Sequence, residues 1–122
     1  MLKDMIQTGD FKGEKHVPVI EVKDKVKKGE VVEVEVSVGK EIPHPNTMEH
    51  HISWIELYFK PDDGKFPVMV GRYGFMAHGE GEVLSEPHVS AKLKISKPGT
   101  FYALSYCNIH GLWSSEKKIE VE

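Results

Sequence analysis

The only cysteine of this 122-residue chain lies three residues before a histidine, in the segment Tyr106-Cys107-Asn108-Ile109-His110. A thiolate and an imidazole at this spacing can reach one ion, because a tight turn between them brings both side chains to the same side. A lone cysteine is otherwise most often a small buried apolar residue. The spacing therefore indicates a metal site, and by itself it is compatible with zinc, blue copper or non-haem iron.

Further histidines occur in three upstream segments, which are Glu14-Lys15-His16, Pro43-His44-Pro45 and Glu49-His50-His51. An isolated histidine is usually a surface or structural residue. However, two prolines fix the backbone around His44, which favours a positioned side chain. His50 and His51 are adjacent, so in an extended chain they point to opposite faces and at most one joins a given site. Together with the cysteine, these segments favour a metal-binding protein over an all-β binding module with incidental histidines.

The candidate metals differ in the ligands that they require. Structural zinc takes four ligands, commonly with paired cysteines, and fits this chain poorly. A cupredoxin-like copper electron-transfer protein is the stronger alternative, since its site uses two histidines, one cysteine and a weak axial methionine. No methionine follows His110, however, because the last one is Met76, and copper would leave His16 and His50 without a role. His78 and His88 have no chemical partner nearby in sequence and are expected to be solvated loop residues.

The residues between these segments alternate with the period of two that half-buried strands show. The alternating or strongly strand-like stretches are 31–38, 52–59, 89–95, 102–107 and 119–121, with weaker candidates at 17–22 and 67–75. The only helix candidate is a turn or two around residues 2–7. About seven short strands separated by turn residues predict an all-β fold, an immunoglobulin-like antiparallel β-sandwich.

Length and composition limit the function classes. A chain of 122 residues is the size of one domain, so residues 1–122 are predicted to form a single domain. The net charge of −3, with both signs interspersed, gives no electrostatic case for nucleic acid or an anionic membrane as a partner. No segment approaches the ~20 apolar residues of a membrane span, and a single cysteine forms no internal disulfide. A cytoplasmic location is the expectation.

Four segments resemble, in order and spacing, those of superoxide reductases of the one-iron, neelaredoxin type. They are the stretches 14–18, 40–47, 49–51 and 105–113, and the similarity runs from about Gly9 to the C-terminus. The resemblance implies one iron per subunit and no desulforedoxin-like N-terminal domain. It also implies an oxidoreductase that reduces superoxide to hydrogen peroxide and is rereduced by an external donor.

The same resemblance implies a role for each motif residue. His16, His44, His50 and His110 would surround iron in one plane, with Cys107 as the axial ligand and His51 turned away. Glu14 would fill the sixth position in the oxidised resting state, and Lys15 would attract the superoxide anion. Rubredoxin or a similar small redox protein would be the electron donor, and a homotetramer the assembly.

Overall fold

The computed structural model describes residues 1–122 and is built almost entirely from strands. The eight strands are β1 (Pro18–Glu21), β2 (Lys25–Val26), β3 (Val31–Val38), β4 (Ile52–Pro61), β5 (Val68–Gly74), β6 (His88–Lys94), β7 (Gly99–Cys107) and β8 (Gly111–Val121). Two short 3-10 helices cover Leu2–Met5 and Glu80–Glu82. Neither helix is long and apolar enough to cross a bilayer.

The strands form two sheets that pack face to face. One sheet has the order β1-β3-β6 and the other β2-β8-β7-β4-β5. The apolar side chains of the alternating strands meet between them, and Val34, Val36, Ile55, Leu57 and Phe101 are all 0% exposed. The predicted all-β sandwich is confirmed.

Two details differ from the sequence prediction. β2 was not predicted, and it pairs in parallel with β8, through Lys25 beside Glu120, in an otherwise antiparallel set. β8 begins at Gly111 rather than near residue 119, because its residues from Gly111 to Ile119 pair with the whole of β7 although they do not alternate clearly. Two residues are too short for a periodic signal, and in β8 the pairing partner decides the structure.

Strand register brings several chain segments to one end of the sandwich. Ile52, the first residue of β4, pairs with Cys107, the last residue of β7, and Cys107 also pairs with Gly111. In the other sheet, Pro18 at the start of β1 pairs with Val38 at the end of β3. The Ser115 hydroxyl of β8 donates to the Pro18 carbonyl oxygen at 2.6 Å, which joins the two sheets near this end.

Candidate metal centre

Five of the six predicted metal-binding side chains, all but that of Glu14, meet at this end of the sandwich. His16 is two residues before β1, His44 lies in the connection from β3 to β4, and His50 is two residues before β4. Cys107 ends β7, and His110 lies in the turn that leads to β8. The sheet framework therefore delivers five side chains, which are distant in sequence, to one place.

The polar atoms of these residues converge. One nitrogen from each of His16, His44 and His50 and the Cys107 sulfur all lie within 4.8 Å of one another. His110 adds a further nitrogen, because its Nδ1 lies 3.1 Å from His16 Nε2 and 3.8 Å from Cys107 Sγ. Three imidazoles and a thiol within this distance are a donor set that suits zinc, copper or iron.

The four imidazole rings are arranged as a square. Neighbouring ring centres are 4.9 Å apart for His16 and His44, 4.8 Å for His44 and His50, 5.0 Å for His50 and His110, and 4.7 Å for His110 and His16. The diagonal between His16 and His50 is longer, at 6.3 Å. Four rings of nearly equal separation therefore enclose a common centre.

Hydrogen bonds fix which nitrogen of two rings faces that centre. Nδ1 of His16 lies 2.6 Å from a Glu14 carboxylate oxygen, and Nδ1 of His44 lies 2.6 Å from the Pro45 carbonyl oxygen. A carboxylate or carbonyl oxygen only accepts, so each Nδ1 carries the proton and each Nε2 presents a lone pair. Nδ1 hydrogen bonds of this kind are the usual support of a metal-ligating histidine.

Two ring nitrogens of the group are buried without any hydrogen-bond partner, namely His44 Nε2 and His50 Nε2. A buried polar atom without a partner is costly, on the order of 1–3 kcal/mol. Moreover, the 3.1 Å approach of His16 Nε2 to His110 Nδ1 is favourable only with a proton or a cation between the two lone pairs. A metal ion satisfies all of these atoms at once, so the residues present fit a bound metal.

The surroundings favour the neutral form of two of the imidazoles, His44 and His50. Burial lowers the pKa of His44 to about 4, although its hydrogen bond to Pro45 opposes this, and burial also lowers the pKa of His50. The positive charge of Lys15 lowers the pKa of both rings further. A neutral ring has the free lone pair that a metal requires.

The cysteine is the most enclosed member of the group. Cys107 is 0% exposed, and the backbone N–H of His110 donates to its sulfur at 3.4 Å. Trp113 closes the neighbouring side, because its ring stacks on His16 at 4.8 Å and its Nε1–H donates to the His110 carbonyl oxygen at 3.2 Å. A hydrogen bond to a ligand sulfur reduces the electron density that it donates to a metal.

Glu14 and Lys15 flank the group without joining it. Glu14 Oε1 accepts from both the backbone N–H and the ring Nδ1 of His16, and the ring hydrogen bond is the main cause that lowers the pKa of Glu14. Lys15 is half-buried, and no carboxylate lies within ion-pair distance of its ammonium group. The local cation is therefore not neutralised by a paired acid.

Two further histidines pair outside the group. His51 and His78 stack with ring centres 3.5 Å apart, and His78 is half-buried, so the expectation of a solvated loop residue was wrong for His78. His88 is exposed as expected, but it begins β6 rather than lying in a loop, and its Nε2 lies 3.8 Å from a Glu35 carboxylate oxygen. The two stacked planes are nearly parallel, at 9°, so their in-plane lone pairs cannot meet at one ion. Sequence spacing gave no signal for this contact across 27 residues.

A family sequence model, curated relatives and solved structures that resemble this chain all indicate one family. Residues 8–116 match the sequence model of the desulfoferrodoxin family. A superoxide reductase of Pyrococcus abyssi is 62% identical over 120 residues, which cover 98% of this chain and 100% of the relative. A crystal structure from Thermotoga maritima is 56% identical, with a TM-score of 0.97, over 100% of this chain and 98% of that one. The superoxide reductase (neelaredoxin) from Archaeoglobus fulgidus in its reduced form is 54% identical, with a TM-score of 0.88, over 95% and 98% of the two chains.

The backbone at Gly39 generates a prediction about His44. Gly39 has φ +90°, and a Cβ there would lie 2.7 Å from the His44 backbone nitrogen, whereas Gly29 has φ +77° and open space around it. Gly29→Ala should lower the free energy of unfolding by roughly 1–2 kcal/mol through backbone strain alone. Gly39→Ala should cost roughly 1–3 kcal/mol beyond that and weaken metal retention, because His44 must shift. Urea unfolding and metal content after dialysis measure the two effects; equal losses in both variants would contradict the role of Gly39.

Proposed function

We propose how the residues of this chain, which belongs to the desulfoferrodoxin family and is a superoxide reductase like its relatives, carry out the reaction. The reaction takes one superoxide anion, one electron and two protons to one molecule of hydrogen peroxide. We propose that one iron ion per subunit is held by His16, His44, His50, His110 and Cys107. Residues 1–122 then act as one iron-binding domain.

One observation carries this proposal: a square of four imidazoles lies beside a buried thiol, with two of the ring nitrogens buried and unpartnered. A copper site of the cupredoxin type uses only two histidines and one cysteine as strong ligands. Four converging imidazoles therefore favour iron over copper. Iron bound there would supply the single electron that superoxide requires.

The protein groups control charge at the site. Four neutral imidazoles leave the positive charge of a cation uncancelled, and the thiolate contributes one negative charge. The net charge of the occupied site would therefore be positive and would attract an anion. The His110 N–H bond to sulfur moderates the electron donation of the thiolate. Because Cys107 is sealed from solvent while His110 is exposed, water and the substrate anion reach the group from the imidazole side.

Lys15 is proposed to guide the anion. Its ammonium group has no paired carboxylate, and its charge already acts on His44 and His50. A local positive charge raises the encounter rate with an anion and stabilises it once bound. Superoxide is small and singly charged, so one unpaired lysine is a sufficient electrostatic guide.

Glu14 is proposed to have two roles that depend on the oxidation state. In this structure it orients His16 through the ring hydrogen bond. In the oxidised state we propose that its carboxylate becomes a further ligand. Glu14 Oε1 lies at His16 Nδ1, the ring nitrogen that faces away from the centre, so binding of the carboxylate to the ion would move Glu14 and alter its support of His16.

The remaining proposals concern the setting of the enzyme. We propose rubredoxin or a similar small redox protein as electron donor, a homotetramer as the assembly and the cytoplasm as the compartment. Exposed apolar side chains precede three of the proposed ligands by one or two residues in the chain; they are Ile42, Met48 and Ile109. They support an apolar contact with a donor near the site.

Metal analysis and product analysis test the function together. The purified protein should contain close to one iron per chain and show a thiolate-to-iron charge-transfer band. With a reduced donor present, it should form one hydrogen peroxide per superoxide without evolving oxygen. Copper with an intense blue band would instead support the electron-transfer alternative, and oxygen evolution without a donor would indicate a dismutase.

Removal of the Lys15 charge should slow the reaction. Lys15→Ala is expected to lower the second-order rate constant with superoxide by one to two orders of magnitude, about 1.4–3 kcal/mol, with the iron retained. Pulse radiolysis at several ionic strengths measures this, and the salt dependence should become weaker. Lys12→Ala, which removes an exposed charge three residues away, is the matched control and should change the rate little. Equal rates for wild type and Lys15→Ala would rule out the guiding role.

Glu14→Gln separates the two proposed roles of Glu14. Glutamine keeps an oxygen that accepts from His16 but has no negative charge to bind ferric iron. We expect an altered ferric spectrum with a changed pH dependence, while the rate of superoxide reduction stays close to that of the wild type. An unchanged ferric spectrum across the pH range would show that Glu14 is not a ligand.

A further inference from the structure

Every N–H and C=O group of the two peptides that flank His50 forms a hydrogen bond. Towards Asn108, the side-chain Nδ2 donates to the Glu49 carbonyl oxygen, and Oδ1 accepts from the His51 N–H, both at 2.9 Å. Towards Thr47, the His50 N–H donates to Oγ1 at 3.0 Å, and the Thr47 N–H donates to the His50 carbonyl oxygen at 2.9 Å. Each of the two peptide groups that flank His50 is thus held by one hydrogen bond to Asn108 and one to Thr47.

Asn108 also joins this segment to the cysteine. It is the residue after Cys107, and its own N–H donates to the His51 carbonyl oxygen at 3.2 Å. Three hydrogen bonds from one residue therefore connect the segment of one proposed ligand to that of another. They continue the β4–β7 ladder beyond its last strand pair, at Ile52 and Cys107.

We propose that Asn108 and Thr47 act as positioning residues, a clamp that sets the direction of the His50 ring relative to the Cys107 sulfur. The inference rests on the proposed iron site. Fixing both peptides fixes φ and ψ of His50 and therefore the direction of its Cα–Cβ bond, so only the side-chain torsions remain to direct Nε2 to the centre. A ligand held in advance loses less conformational entropy on binding and dissociates more slowly.

The ring of His51 strengthens the clamp from outside. Its Nδ1 donates to the Thr47 carbonyl oxygen at 2.9 Å, and its face stacks on His78. The His78 ring is itself held, because Nε2 donates to the Phe75 carbonyl oxygen. His51 is thus not a ligand but part of the structure that holds the Thr47 side in place.

Substitutions can remove the clamp in graded steps. Asn108→Ala deletes both side-chain hydrogen bonds, Thr47→Val deletes only the hydroxyl at similar shape, and Thr47→Ser keeps the hydroxyl. Asn46→Ala is the matched control, because Asn46 lies in the same loop and donates to the Ser85 carbonyl oxygen rather than to the His50 segment. The expected order of effect is Asn108→Ala, then Thr47→Val, with Thr47→Ser and Asn46→Ala near the wild type.

Amide hydrogen exchange on the iron-free protein tests the clamp without reference to activity. In Asn108→Ala, the His51 amide should exchange about tenfold faster or more, while the core amides of β4 keep their rates. Unchanged exchange at His50 and His51 would overturn the proposal. Equal acceleration of the core amides would also overturn it, because the effect would then be a global loss of stability.

The iron-loaded protein provides the second measurement. Release of iron to a chelator should be roughly 10- to 100-fold faster in Asn108→Ala, and the charge-transfer maximum and midpoint potential should shift at equal iron occupancy. Thr47→Ser should keep the wild-type rate of iron release and the wild-type charge-transfer maximum and midpoint potential, whereas Thr47→Val should not. If wild-type protein binds no iron, the proposed function fails, whereas the exchange experiment still decides whether the clamp exists.

Discussion

The antiparallel register of β4 and β7 is the constraint on which the metal centre depends. It places the first residue of β4 opposite Cys107, so that His50, two residues earlier in the chain, arrives beside the sulfur. A slip of one residue would turn every side chain of β4 to the other face. The buried positions Ile55 and Leu57 would then face solvent. Core burial therefore fixes the register, and the register fixes the site.

The converging lone pairs create a second constraint. They lower the stability of the folded chain, whereas burial of the core raises it. Desolvation lowers the pKa of His44 and of His50, but it also leaves His44 Nε2 and His50 Nε2 buried without partners. The folded chain bears this cost because its strands are held by an extensive core, and a bound cation would remove the cost. If the group binds a cation as proposed, metal binding would be coupled to folding, and the metal-loaded protein would be the more stable form.

Periodicity predicted the framework because it reports burial directly. Strands 31–38, 52–61 and 88–94 alternate in sequence and lie where expected. β2 and the start of β8 carry no such signal, since they form only because a neighbouring strand is available. Residue type and spacing indicated a metal site, whereas the set of candidate ligands that meet there was implied by the family resemblance. The supporting contacts of Asn108 and His78 were not predictable, because each joins residues that only the fold brings together.

The residues that enclose the candidate site determine which of its members solvent can reach. Cys107 is wholly buried behind the β4–β7–β8 ladder, and Trp113 covers the adjoining ring of His16. Among the residues around the group, His110 is exposed and Lys15 is half-buried. Solvent therefore reaches the group at His110 and not at the cysteine. In the proposed function, a buried thiolate would supply electron density to the ion, and Lys15 would attract the anion from solvent.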